Sequence, residues 1–346
     1  MSTVLVTGIS GFVGSYVVLE LLKQGYTVRG TVRLARLPAF QASALADKIT
    51  LVPIDDVATG DFSEALKGVD AVIHVAAPLA GKAAPGEALQ SAMEGTLNVL
   101  RQAVDAGIHK VVLTSSWGTT LDPSLEQSYE DKTFTSSDWG RATPEEVVSG
   151  KNNPMWVYLA TKILAEKAAW EFADAHPELN LCTINPPFIY GPFAPGFPPP
   201  SNPQALGTNG LLYVPLTGVY PPPGFPPFFC DVRDVARAHV AALAKGGRGK
   251  RYLVSGGKFT WADAVAFIAR EVPEVAGRLP EAPGEGSKVK LQLVDQERMG
   301  SGRIDVSEAE RDLGMGVGEY VKWEKTVVET VRVAFDCRLF VFTQSS

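Results

Sequence analysis

Three observations predict a doubly wound α/β fold for these 346 residues. Short apolar runs alternate with amphipathic ones through the first half. Three evenly spaced glycines stand where the first apolar run meets the first amphipathic one. Beyond a proline-rich stretch the pattern changes to shorter, mixed elements. Strands alternating with helices require crossover connections, and crossovers produce a parallel sheet covered on both faces.

The elements follow in order. VLVTG (4–8) reads as a buried strand, and FVGSYVVLELLKQG (12–25) as a helix stopped by Gly25. TVRGTV (27–32), ITLVP (49–53), DAVIHVA (70–76) and KVVLTSS (110–116) are the second to fifth strands. EALQSAMEGTLNVLRQAVDAG (87–107) is the long helix between the last two. A polar excursion leads to a helix containing VYLATKILAE (157–166), and LNLCTIN (179–185) is a sixth strand. Residues 186–227 hold 14 of the 25 prolines, a density that excludes most regular helix and ladder pairing. Phe188, Tyr190, Phe193, Phe197, Tyr213 and Tyr220 argue against disorder there, so the stretch reads as a wall or lid over a pocket. Helices over 232–245, 260–271 and 319–336 and strands over 251–254 and 289–294 complete the chain.

Composition narrows the functions. With 45% hydrophobic and 20% charged residues and a net charge of −6, the chain suits neither nucleic acid nor an anionic membrane. Cys182, Cys230 and Cys337 are odd in number and match no zinc spacing, which favours a reducing, cytoplasmic setting. Four scattered histidines predict no metal site. The start MSTVLVTG carries no charged leader, and no apolar stretch is long enough to span a bilayer. The expected partner is a small molecule, and the chain a monomer or homodimer.

TGISGFVG (7–14) follows the first strand and opens the first helix. Gly8 permits a tight turn, Gly11 lets the backbone approach a pyrophosphate, and Gly14 lets the helix lie close to the sheet. Ser10, Phe12 and Val13 complete the loop, where helix N–H groups and their partial positive charge meet the phosphates. The end of the second strand faces the adenosine ribose. An acid there would accept from the free hydroxyls of NAD, but GTVRLAR places Arg33 at that point and Arg36 close behind. A guanidinium fits a 2′-phosphate, so the expected cofactor is NADP. The alternative is that Arg33 is a solvated charge. The prediction is therefore a Rossmann-type doubly wound parallel sheet over 1–185, with a smaller C-terminal α/β substrate-binding appendage over 186–346 packed on it.

Tyr158 and Lys162, four residues apart, share one helix face. In isolation such a pair is an ordinary surface feature. In this context the chain resembles the extended short-chain dehydrogenase/reductases, in their dihydroflavonol reductase-like branch with fungal aldehyde and ketone reductases. The resemblance is carried by TGISGFVG, DAVIHVAAP (70–78), VVLTSS (111–116), Tyr158-x-x-x-Lys162 and INPPFIYGP (184–192). FFCDVRDVARAHVAAL (228–243) and RYLVSGGKFTW (251–261) extend it over nearly the whole chain. It implies that Ser116, with its neighbour Ser115 as the alternative, is the catalytic serine. Tyr158 and Lys162 are then the proton donor and its partner. It also implies that Asp56 and Val57 lie at the adenine, Ala76, Ala77 and Pro78 beside the ribose and diphosphate, and Pro186 near the nicotinamide carboxamide. Trp117, bulkier than is common after that serine, would narrow a pocket that Leu79, Pro187 and Phe188 also line. Trp156 either lines the pocket or packs in the core. His74, His239 and Asn98 read as structural.

The chemistry follows. An ordinary tyrosine titrates near pH ~10, and a neighbouring cation lowers that value. The phenol can then donate to a carbonyl oxygen as hydride reaches the carbon, while the serine hydroxyl holds the same oxygen. The expected function is an NADPH-dependent carbonyl reductase acting on an aldehyde or ketone. The rivals are a nucleotide-sugar epimerase or dehydratase and a non-catalytic dinucleotide sensor. Residues 186–227 contain no Lys or Arg to meet a sugar diphosphate.

Overall fold

The computed structural model describes residues 2–77, 83–198, 206–222, 225–226, 228–281 and 302–336. The expected strand 289–294, Pro78 and Leu79 lie outside them. Seven parallel strands form the main sheet: β1 (Thr3–Thr7), β2 (Thr27–Val32), β3 (Ile49–Pro53), β4 (Ala71–His74), β5 (Lys110–Thr114), β7 (Asn180–Asn185) and β10 (Lys250–Leu253). Their spatial order is β10-β7-β5-β4-β1-β2-β3. Val4 of β1 pairs with Val28 on one side and Ala71 on the other, so the order reverses direction at the β1–β4 boundary. Such a switch point opens a crevice at the carboxyl ends of the strands.

Apolar side chains on both sheet faces demand helices on both. On one face α1 (Phe12–Lys23) and α8 (Val232–Lys245) bury Val17, Val18, Leu21, Val235 and Ala238 against Val4, Val6 and Ile184. On the other, α4 (Pro85–Asp105) and α6 (Pro154–Ala175) bury Val99, Leu100, Ala169 and Ala173 against Leu5, Val72 and Val111. Helix α1 ends as expected before Gly25, whose φ of +82° lies in the left-handed region that favours glycine.

Beyond residue 185 the chain does two things. Helix α8 and strand β10 join the layers of the large sheet, with β10 pairing in register to β7. The remainder builds a second core around a three-stranded sheet of β8 (Phe188–Tyr190), β9 (Phe228–Asp231) and β11 (Gly257–Lys258). Tyr190, Phe229, Phe259 and Trp261 fill that core with helices α9 (Trp261–Glu271) and Trp323–Asp336. A short ladder of β6 (Thr133–Phe134) with β12 (Arg303–Ile304) ties the polar excursion to the C-terminal part. Within 186–227, Phe193 packs edge-on to Phe12 at 6.3 Å and Phe197 to Phe40 at 5.7 Å, so part of this stretch lies against the glycine-turn side of the sheet.

Candidate active site

The glycine turn is built for close approach. Gly8 has φ +71°, and a Cβ there would meet the Ala76 backbone at 2.9 Å. A Cβ on Gly14 would lie 2.3 Å from the Gly8 carbonyl oxygen. Only glycine permits that packing of α1 on the turn. The Gly8 N–H donates to Thr31 Oγ1 at 3.1 Å, and the Gly11 N–H to the Gly8 carbonyl at 2.9 Å. Helix α1 begins after Gly11 without a side-chain cap, and its first turn contains no acidic residue. The N–H groups of Phe12, Val13 and Gly14 therefore have no partner from the helix itself. Exposed Ser10 stands beside them. A cradle that excludes side chains and ends in uncapped N–H groups fits a diphosphate.

Around this cradle the expected cofactor residues take different parts. Arg33 is exposed after β2, Arg36 follows half-buried, and neither side chain has an ion pair among the described residues. Asp55 accepts from the Leu34 N–H at 2.7 Å, holding the turn that presents both arginines. Asp56 accepts from the Ala58 N–H at 2.9 Å and from Thr59 Oγ1 at 3.1 Å. Asn98 donates to the carbonyls of Val57 at 3.0 Å and Gly60 at 2.9 Å, a structural role that fixes the 57–60 loop on α4. His74 pairs through Nδ1 with Thr7 Oγ1 at 2.7 Å, and Thr7 Oγ1 accepts from the Val75 and Ala76 N–H groups at 3.1 Å. Burial, helped by Lys162, holds His74 down to about 4, so it is neutral at physiological pH.

Helix α6 starts on Asn153, whose side chain accepts from the Trp156 N–H at 2.9 Å, with Pro154 in the first turn. Tyr158 and Lys162 then fall on one face, with Lys162 Nζ 6.0 Å from the Tyr158 ring centroid. Lys162 lines a cleft with Ala76, Ala77, Gly95, Thr96, Thr114 and Thr161, at the carboxyl ends of β4 and β5. Burial lowers Lys162 to about 8, and Glu166 opposes that fall. The Tyr158 phenol is pushed up by burial. In the chain by itself burial dominates, with the Lys162 ammonium over the ring; the expected lowering belongs to the lysine and the oxidised nicotinamide together.

Ser116 follows β5 and begins a tight turn over 117–120. Its Oγ accepts from the Gly118 N–H at 3.0 Å, which leaves its own hydrogen free to donate. Ser115 is committed elsewhere, donating to the buried carboxylate of Glu166. Of the two serines, Ser116 has the available hydroxyl. The Pro186 carbonyl accepts from the Trp117 N–H at 2.9 Å, joining this turn to the end of β7.

The expected pocket residues divide. Trp117 is 2% exposed and packs on Phe134 at 5.2 Å and Phe228 at 5.0 Å, in a core cluster that Tyr158 borders. Its ring faces that core and not the open cleft. Trp156 packs with Leu89, Val147 and Ala160, one stripe of α6 away from Tyr158. Pro187 is buried, and half-buried Phe188 meets Phe225 at 5.7 Å. Sequence reasoning missed Glu166, Arg251, Asn185 and Thr119, which form a buried polar network behind the serine. One signal was available: Glu166 is an acid one turn after Lys162 in an alanine-rich helical run.

Fold and site together define a nicotinamide-nucleotide oxidoreductase of the extended short-chain class. Residues 4–205 match the model of the NAD dependent epimerase/dehydratase family, and the chain belongs to that family. It is 32% identical over 289 residues to dihydroflavonol 4-reductase of Arabidopsis thaliana, covering 79% of this chain and 70% of that one. It is 29% identical over 311 residues to the NADPH-dependent methylglyoxal reductase of Saccharomyces cerevisiae, covering 82% and 87%. The structure of Gre2 from Candida albicans in complex with NADPH superposes with a TM-score of 0.81 at 28% identity, covering 98% of this chain and all of that one.

Proposed function

We propose that this chain is an NADPH-dependent carbonyl reductase that converts an aldehyde or ketone to an alcohol. The observation that carries the reading is Lys162 over the Tyr158 ring and in one cleft with Ala76, which the side-chain-free turn at Gly8 abuts, while Ser116 on the turn after β5 keeps a hydroxyl free to donate. Gly8, Ser10, Gly11, Phe12, Val13 and Gly14 would hold the diphosphate, and Arg33 with Arg36 the 2′-phosphate. Asp56 and Val57 would meet the adenine, Ala76, Ala77 and Pro78 the ribose and diphosphate, and Pro186 the carboxamide.

When bound, NADPH supplies the hydride. The protein's part is orientation and the proton. Ser116 donates to the carbonyl oxygen and holds it. Tyr158 gives its proton to that oxygen as the carbonyl carbon is reduced. Lys162 stabilises the phenolate left behind and offers donors to the ribose hydroxyls. A positioned general acid contributes ~10²–10⁴-fold.

Residues 1–185 carry the cofactor and the chemistry in this reading, and 186–346 mainly the substrate side. Phe188, Pro187 and the aromatic cluster beyond them favour an apolar or aromatic carbonyl compound. The relatives' names run from a small dicarbonyl, methylglyoxal, to a larger aromatic ketone, dihydroflavonol. No described helix is long and apolar enough to cross a membrane. The three scattered cysteines favour a reducing, cytoplasmic setting, and a monomer or homodimer is the assembly proposed.

The test is NADPH oxidation followed under one fixed set of conditions against methylglyoxal, isovaleraldehyde, aryl ketones, ketoesters and a dihydroflavonol. Turnover of at least one carbonyl compound, with NADPH preferred over NADH, is expected. No turnover of any, together with conversion of a supplied nucleotide-sugar without net consumption of the cofactor, would favour the epimerase.

A further inference from the structure

Glu166 is 2% exposed, and Arg251 beside it is 6% exposed. Arg251 Nε donates to Glu166 Oε1 at 2.7 Å. Burying two charges is costly unless each finds good partners, and an apolar pair of similar size often serves stability equally well. Here the remaining partners fall in two groups, one that anchors the pair to the 136–139 loop and to Trp170, and one that leads to the turn carrying Ser116. Arg251 donates to the carbonyls of Ser136 at 2.6 Å and Asp138 at 2.7 Å, and to Thr119 Oγ1 at 2.9 Å, and lies 3.6 Å from the Trp139 ring centroid. Glu166 Oε1 also accepts from Trp170 Nε1 at 3.2 Å. Its Oε2 accepts from Ser115 Oγ and from Asn185 Nδ2 at 2.9 Å. Thr183 donates to Asn185 Oδ1 at 2.6 Å and so orients that amide.

The network ends on Ser116. Its carbonyl oxygen accepts from Asn185 Nδ2 at 3.2 Å, from Thr119 Oγ1 at 2.8 Å and from the Thr119 N–H at 3.1 Å. Ser115, immediately before it, is tied to Glu166 directly. On α6, Glu166 lies one turn beyond Lys162, on the same face.

We propose that Glu166, held by Arg251, is the positioning residue of this site: it fixes from behind the turn that carries Ser116 and stands one helical turn from Lys162, so that both are referenced to one buried anion. The proposal rests on the Ser116–Tyr158–Lys162 reading above. The groups that act on Lys162 fit it. His74 of β4 is neutral at physiological pH, Tyr158 stands one turn before, and Glu166 supplies the anion that opposes the effect of burial. Arg251 of β10, the Ser115 hydroxyl just after β5, the Thr183 hydroxyl and Asn185 amide of β7 and the Trp170 indole of α6 hold that anion.

The experiment compares Glu166→Gln and Ser115→Ala with the parent by thermal melting, NADPH fluorescence titration and the pH dependence of kcat. Glu166→Gln keeps the shape and an acceptor but removes the charge. It should bind NADPH nearly as the parent does, lose ~10-fold or more in kcat, and move the alkaline fall of kcat to lower pH. Ser115→Ala cuts one arm to the Ser116 turn and leaves the charge. It should lower kcat several-fold without moving the alkaline fall, and the loss should vanish in a Ser116→Ala background. If Glu166→Gln does not fold, the Ser115–Ser116 cycle decides alone: additive losses overturn the proposal. An unmoved pH profile with parent-like kcat in folded Glu166→Gln also overturns it. Should Tyr158→Phe be inactive while Glu166→Gln is parent-like, only this proposal fails. Should Tyr158→Phe remain active, the reading beneath it fails.

Discussion

Lys162 Nζ stands over the face of the Tyr158 ring, 6.0 Å from its centroid and one helical turn along α6. Burial acts on the two groups in opposite senses of charge but to one end, since it disfavours the ionised form of each. The phenol is therefore protonated near neutrality, ready to donate. The lysine, lowered to about 8, is charged below that pH and neutral above it. Reduction should be fastest below pH 8, and kcat should fall as the pH rises through about 8, where the cation that supports the phenolate is lost. A profile of kcat measured at saturating substrate checks this. A rate flat to pH ~10 would remove Lys162 from the chemical step.

The 2.3 Å between a Gly14 Cβ and the Gly8 carbonyl cannot be accommodated by a side-chain rotation, because the obstacle is backbone. Gly14→Ala must push α1 off the turn. The expected cost is ~1–3 kcal/mol of stability, the range for overpacking. NADPH affinity should fall with it, since the same turn forms the cradle. Unchanged melting temperature and unchanged affinity together would show that the helix seats elsewhere.

Arg33 has no ion pair among the described residues, and Asp55 holds the turn that carries it. Arg33→Asp should remove a charge-assisted contact worth ~1.5–3 kcal/mol and add repulsion toward the 2′-phosphate. Neither term acts against NADH. The NADPH/NADH preference should drop ~10-fold or more, and added salt should weaken NADPH binding to the parent more than NADH binding. Fluorescence titration with both cofactors measures it, and equal affinity of the parent for the two would refute the assignment.

Trp117 was expected to narrow the pocket, yet its ring is in the core with Phe134 and Phe228. Trp117→Ala should therefore act first on stability, by ~3–5 kcal/mol as for other buried aromatics. Losses in kcat/KM should be similar for small aldehydes and bulky aryl ketones. A gain confined to bulky ketones at an unchanged melting temperature would return the ring to the pocket wall.

What the sequence disclosed depended on the range of the interactions. Strands 27–32 and 49–53 and helix 232–245 fall on the residues expected, because each is an apolar run or stripe whose period states its surroundings. The glycine turn was legible because a backbone need, φ at Gly8 and space at Gly14, is written in single residues. β10 gave no sign that it would pair with β7 in the large sheet, since partner choice is decided across some 70 residues of intervening chain. The Glu166–Arg251 pair spans 85 residues and is invisible for the same reason. Trp117 shows the remaining gap: adjacency to Ser116 in sequence says nothing about which side its ring takes.

Tyr158 is the proton donor of the proposed reaction. Its most direct test is Tyr158→Phe, assayed for kcat beside NADPH titration and thermal melting of the same preparation. Loss of the hydroxyl alone should leave folding and NADPH affinity nearly intact and lower kcat by at least ~10²-fold, the scale of a lost general acid. Turnover within a few-fold of the parent, by a variant that folds and binds NADPH normally, would contradict it.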